Sequence, residues 1–346
     1  NGIAIRLATP HLRAGTISCN SSIWHSAWPM TACRLFSSSS ESKTCKSCKV
    51  RCSDMPGEMI LKIWDVEHGA CAMLTHRSAY GVEGRLAMID SGDNSTTGWK
   101  PSTYIKHYLK RNVLDYLFVT NADLDHISDL NNLWKEGITV STFFRNRSVS
   151  PEVMRIIKEA SGELTEDIER YLDIHAGYVN PVDVPFDESM GGISVRTFWN
   201  STPPFYDTNN LSMVAFFKYG PFKILFPGDL EEDGWLALLE QPAFRAELID
   251  TTVLVASHHG RENGYCRALF DYCHPRAIVM SDKAIVHDTQ GMTQTYRQRV
   301  IDHWPNGVLV ATTGKQRRVL TTRRDGWIQF NVNDRGDFTI YTECYG

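Results

Sequence analysis

The sequence predicts an α/β chain of the α+β kind, with mixed sheets flanked by helices rather than a strictly alternating doubly wound sheet. Three observations predict it. Strand-like stretches come in runs toward both ends of the body, with helical stretches between and among them. Several strands are short, continuous apolar runs, the pattern of strands covered on both faces. Finally, 346 residues with 42% hydrophobic and 22% charged content supply a large core. No apolar run approaches the roughly 18–20 residues of a membrane span. The same composition excludes a wholly disordered chain, a collagen and a disulfide-knotted miniprotein.

The elements follow in order. Residues 59–66 alternate and are β-rich, 71–75 read as a second strand, and 85–89 as a third ending at Asp90. Residues 102–111 place Tyr104, Ile105, Tyr108 and Leu109 on one helical stripe. A buried strand over 116–120 stops at a polar cluster, 121–126, before a helix over 127–134. A strand at 140–144 precedes helices at 151–160 and 164–174, with Glu and Lys on their outer faces. Strands return at 193–198, 213–219 and 223–227, and a helix over 231–239 follows Gly228-Asp229. Residues 252–256 form a buried strand ending at Ser257-His258-His259-Gly260. Strands at 277–281, 308–312, 327–332 and 338–341 close the chain, and no internal repeat is present.

Residues 1–54 differ from the rest. They carry seven Lys or Arg against two Asp or Glu, a net +5 that leaves −9 to the body. They also hold a four-serine run and five of the nine cysteines. This segment is expected to be a basic, disordered leader outside the fold, with residues 55–346 as a single domain. A transit peptide or a start misplaced ahead of Met55 or Met59 would account for it. Cys45, Cys48 and Cys52 are only three clustered ligands where structural zinc takes four, so free thiols are the expected reading. The remaining cysteines show no metal-like spacing, and a reducing, cytoplasmic setting is expected.

Chemistry-bearing residues recur where apolar strands end. Asn121, Asp123, Asp125 and His126 follow one strand, Asp229 follows another through Gly228, and His258 and His259 follow a third. A strand end is rigid and the loop beyond it exposes side chains, which suits a metal site. In this order the pieces resemble the metallo-β-lactamase fold superfamily. Its H-x-H-x-D-H loop corresponds to N-A-D-L-D-H at 121–126, its Asp-Ser/Thr-Gly turn to Asp90-Ser91-Gly92, its Gly-Asp to Gly228-Asp229, and its strand-end histidine to His258-His259-Gly260. Within it, the chain looks most like the ComEC-like competence hydrolase domain and its stand-alone relatives. The family's opening D-V-G-Q-G-D corresponds to Asp65-Val66-Glu67-His68-Gly69-Ala70, its N-S element to Asn209-Asn210-Leu211-Ser212, and G-D-L and H-H-G stand unchanged at 228–230 and 258–260.

The resemblance implies a four-layer αββα sandwich and one or two divalent ions, manganese or zinc with magnesium possible. Asp125, His126 and His258, with His259 beside it, would hold one ion. Asp229 would bridge to a second, helped by Asp123 and the Asn121 carbonyl. Two ions about 3.5–4 Å apart clamp a phosphate and ionise water. Asn121 and Asp123 stand where the family has histidines, and harder oxygen ligands favour manganese or magnesium and phosphoryl substrates. A single-ion enzyme is the other outcome, since a neutral amide is a poor ligand.

The implied activity is a metallo-hydrolase, a phosphodiesterase or nuclease-like enzyme directing a metal-activated hydroxide at a nucleotide or short nucleic-acid end, with Asp125 and Asp229 catalytic. Asp90 would orient the metal loop, and Asp65, His68, Asp207, Asn210 and Ser212 would line the site. Lys283 and His287 are candidates for phosphate or leaving-group contact. The body's −9 charge argues against gripping a long duplex. Alternatives are hydrolysis of a carbonyl substrate such as a lactone, thioester or β-lactam, and a non-catalytic binding module of the same fold.

Overall fold

The computed structural model describes residues 57–162, 164–182, 186–284 and 290–344. Residues 1–54 and His287 lie outside the described residues. The strands are β1 (Glu58–Ile63), β2 (Ala72–Arg77), β3 (Glu83–Ile89), β4 (Val113–Phe118), β5 (Thr139–Phe144), β6 (Ser194–Trp199), β7 (Met213–Tyr219), β8 (Phe222–Phe226), β9 (Val253–Val255), β10 (Ala277–Met280), β11 (Val308–Val310), β12 (Lys315–Arg317), β13 (Val319–Thr321), β14 (Ile328–Asn333) and β15 (Phe338–Thr342). One sheet has the order β12-β11-β15-β14-β1-β2-β3-β4-β5 and the other β13-β10-β9-β8-β7-β6. Both are mixed. β3, β4 and β5 pair in parallel within the first, and β8, β9, β10 and β13 within the second.

Side-chain alternation turns these sheets into layers. On β4, Tyr116 and Phe118 enter one core while Leu117 enters another. On β7, Met213, Ala215 and Phe217 share the first core, and Val214 and Phe216 point to a third. The first core therefore lies between the sheets, where Phe118 stacks on Phe144 at 4.4 Å and meets Phe217 edge-on at 5.1 Å. Fully burying a side chain of this kind contributes roughly 1.5–3 kcal/mol. The outer face of the nine-stranded sheet is covered by helices Leu130–Lys135, Pro151–Ser161 and Glu166–Gly177. Helices Glu232–Leu239, Pro242–Leu248 and Thr293–Ile301 cover the other. The result is an αββα sandwich with the mixed sheets that the element order predicts and the layering that the resemblance implies.

Local differences have local causes. The stripe at 102–111 begins as a helical turn, Pro101–Thr103, and continues as a π-helical turn, Tyr104–Tyr108. The helix expected over 127–134 is two pieces, Leu124–Ile127 and Leu130–Lys135. Asp129 interrupts it because its buried carboxylate accepts from Ser102 N (2.7 Å) and Asn132 Nδ2 (2.8 Å). Asp125 and His126 thus sit on a helical turn rather than in an open loop.

Candidate metal centre

The carboxyl ends of β3, β4, β8, β9 and β10 bring their loops to one place. Asp90, just past β3, has left-handed backbone (φ 58°). Its two oxygens accept from Thr120 N (2.7 Å) and Thr120 Oγ1 (2.6 Å), and one of them faces His126 Nδ1 at 3.0 Å. Ser91 N donates to the His126 carbonyl at 2.7 Å, and Ala70 N to the Asp125 carbonyl at 3.2 Å. The 65–70 loop and the 90–92 turn therefore clamp residues 125–126 from the backbone side. Gly92 is required by this closeness, since a Cβ there would lie 2.6 Å from the Asp125 carbonyl oxygen. Gly228 has φ 62° and packs where a Cβ would press on Ser212 Oγ and Thr120 Oγ1 at 3.0 Å. Asp229 N in turn donates to Ser212 Oγ at 3.1 Å.

Four side chains converge inside this frame. Asp125, His126, Asp229 and His259 each offer one ligand atom, all within 4.8 Å of one another, and all but Asp125 are buried. His126 Nε2 lies 3.0 Å from Asp229 Oδ1. His259 Nε2 lies 3.2 Å from Asp125 Oδ2 and 3.5 Å from Asp229 Oδ1. Each ring is fixed by its other nitrogen. His259 Nδ1 faces the Ser281 carbonyl at 3.0 Å, which can only accept, so that nitrogen carries the proton. His126 Nδ1 likewise donates to Asp90. Both Nε2 atoms then face carboxylate oxygens, an arrangement that either a proton on each Nε2 or a cation among the four groups would satisfy.

The four groups also set one another's charge. Burial opposes charge on His126, but Asp229 and then Asp90 outweigh it and hold its pKa well above the imidazole range. Burial is likewise outweighed at His259, chiefly by Asp229, and its pKa rises to about 9. Burial would raise Asp125, yet the His259 contact and His126 lower it to about 2. Asp229 is held well below the carboxylate range against burial by the same two rings. Two imidazoles with two carboxylates make a donor set that a divalent metal ion would suit.

Other expected residues fall at different places. The strand-end histidine that joins the cluster is His259, whereas the resemblance places His258 in the first ion's shell. Both have left-handed backbone (φ 49° and 56°), so their rings diverge, with centroids 6.2 Å apart. His258 Nδ1 instead lies 3.5 Å from Glu231 Oε1. Asn121 and Asp123 are outside the cluster. Asn121 Oδ1 accepts from Asp123 N at 3.1 Å, and its Nδ2 donates to Asn209 Oδ1 at 3.1 Å. Asp123 faces Lys158 Nζ at 2.6 Å and Thr208 Oγ1 at 2.8 Å.

His68 adjoins the cluster, with Nε2 3.8 Å from Asp125 Oδ2 and its ring 4.3 Å from that of His259. Asp65 accepts from Glu67 N and lines a separate cavity of about 630 Å³ with Trp64, Trp99 and Trp327. Asp207 caps a turn by accepting from Asn210 N at 2.7 Å, and Asn210 Oδ1 accepts from Gly234 N at 2.9 Å. Lys283 is exposed.

Three neighbours escape a reading of the sequence. Arg261, which looks like a surface residue, places Nη2 2.7 Å from His68 Nε2. Buried Asp282 pairs with Arg323 at 2.7 Å and lies 3.5 Å from His68 Nδ1. Lys158 is buried on helix Pro151–Ser161, one turn after buried Met154. A lysine four residues beyond an apolar core position is the signal that finds it.

No family model and no curated protein matches the chain. Among solved structures it is similar to the crystal structure of CmlA, a diiron beta-hydroxylase from Streptomyces venezuelae, at 13% identity and a TM-score of 0.40. The match covers 72% of this chain and about half, 52%, of that one. Fold and site together define a four-layer sandwich carrying a buried Asp/His candidate metal centre.

Proposed function

We propose that the chain is a metal-dependent hydrolase acting on a phosphodiester, either a nucleotide or a short nucleic-acid end. The observation that carries this is the convergence of Asp125, His126, Asp229 and His259 within 4.8 Å, with both rings fixed from behind. These four residues would hold a divalent ion. When bound, the ion supplies Lewis acidity toward water and a phosphoryl oxygen. Asp90 and the Ser281 carbonyl hold the rings in the tautomer that presents Nε2. Asp125, with a side chain 29% exposed, is the ligand most accessible to solvent and would lie beside the water that the ion activates. Arg261, beside His68, offers a guanidinium to an anionic oxygen at the rim. The −9 charge of residues 55–346 repels a long duplex, so a small diester or a strand end is the favoured substrate.

The test uses protein purified without chelator. Manganese or zinc restores cleavage of bis(p-nitrophenyl) phosphate, and Asp125→Ala removes both bound metal and activity. A chain that binds no divalent metal, or that opens nitrocefin or lactones and ignores phosphodiesters, overturns the proposal.

A further inference from the structure

The second cation that the resemblance implies beside Asn121 and Asp123 does not fit these residues. Both Asp123 oxygens already face donors. Oδ1 receives Lys158 Nζ at 2.6 Å and Thr208 Oγ1 at 2.9 Å, and Oδ2 lies 2.8 Å from the same hydroxyl. The only oxygen that Asn121 could offer an ion from its side chain already accepts the Asp123 N–H at 3.1 Å. Its amide nitrogen is bound to Asn209 at 3.1 Å. Lys158 is 6% exposed, and a buried ammonium persists only beside a counter-charge. A divalent ion on Asp123 would stand within a few ångströms of that ammonium and be strongly repelled.

The geometry points to Lys158 as the resident cation of this half of the site: its ammonium neutralises Asp123, and the chain takes one divalent ion, not two. This rests on the reading of the Asp125, His126, Asp229 and His259 cluster as a metal centre. Lys158 is a positioning residue. It ties the 121–125 segment, which carries Asp125, to helix Pro151–Ser161, while Thr208 ties the same carboxylate to the loop before β7. A metal ion is exchangeable, whereas this cation is covalently part of the fold.

The test has two readouts, neither of them activity. In the first, the full chain is saturated with manganese by equilibrium dialysis, and metal per chain is measured. Wild type and Asp123→Asn are both expected to hold one ion. Two ions in wild type falling to one in Asp123→Asn overturns the inference. The second readout is thermal stability. Lys158→Met lowers Tm by leaving Asp123 unpaired, and adding Asp123→Asn recovers most of that loss. A double variant no more stable than Lys158→Met overturns the pairing. If Lys158→Met does not fold, the Asp123→Asn stoichiometry still decides. Wild type holding no ion would sink the hydrolase proposal, while the stability comparison would still judge Lys158 and Asp123.

Discussion

Asp90 commits both carboxylate oxygens to the scaffold of the centre, accepting from the Thr120 amide, the Thr120 hydroxyl and His126 Nδ1. In Asp90→Asn one oxygen becomes an NH₂ facing donors, and the His126 ring loses its anchor. Metal affinity is expected to fall about 10–100-fold, read by calorimetric titration with manganese or zinc, because ligand orientation depends on such partners. An unchanged affinity would show that His126 is held by packing alone. At this scale much of the candidate cluster was legible. Asp90, Asp125, His126 and Asp229 were each marked by a strand end followed by an abrupt polar residue. The choice between His258 and His259 was not, because backbone dihedrals, not residue type, decide which of two adjacent rings turns inward. Lys158 was hidden by its 35-residue separation from Asp123 and by the ordinary look of a lysine on a helix.

Among the elements, helix Glu166–Gly177 shows how the outer layer is locked. Buried Arg145, just past β5, donates to the carbonyls of His175 and Tyr178 at 2.8 Å and so satisfies the helix's carboxyl end. His175 accepts from Arg145 Nε through Nδ1 at 3.2 Å and faces the Val149 carbonyl through Nε2 at 2.9 Å. Burial, helped by Arg145, pulls the His175 pKa from 6.5 down to about 4. The unfolded chain therefore protonates this ring before the folded one does. The stability it contributes is complete above pH about 6.5 and is lost as pH falls toward about 4. Tm measured from pH 7.5 to 4.5 should fall more steeply in wild type than in His175→Gln, and parallel curves would contradict this. Helices with strong end signals were legible, as at Ser150-Pro151, where Ser150 Oγ accepts from Val153 N. The break at Asp129 was not, since it depends on a bond to Ser102. The three-residue strands β12 and β13 are too short to show a period.

For the whole molecule, the order of strands and helices was enough to predict mixed sheets flanked by helices, while the two-sheet αββα layering was implied only by the resemblance. Which strands neighbour one another was not legible: β1 pairs with β14 across most of the chain, a contact of long sequence separation that no local pattern encodes. The candidate centre is likewise assembled from distant segments, at the carboxyl ends of β3, β4, β8, β9 and β10. The central claim is that those segments hold a metal ion. Anomalous X-ray scattering from crystals grown with manganese tests it most directly. The account predicts one strong peak bounded by Asp125 Oδ2, His126 Nε2, Asp229 Oδ1 and His259 Nε2. No peak there, or an ion held by other residues, would contradict it.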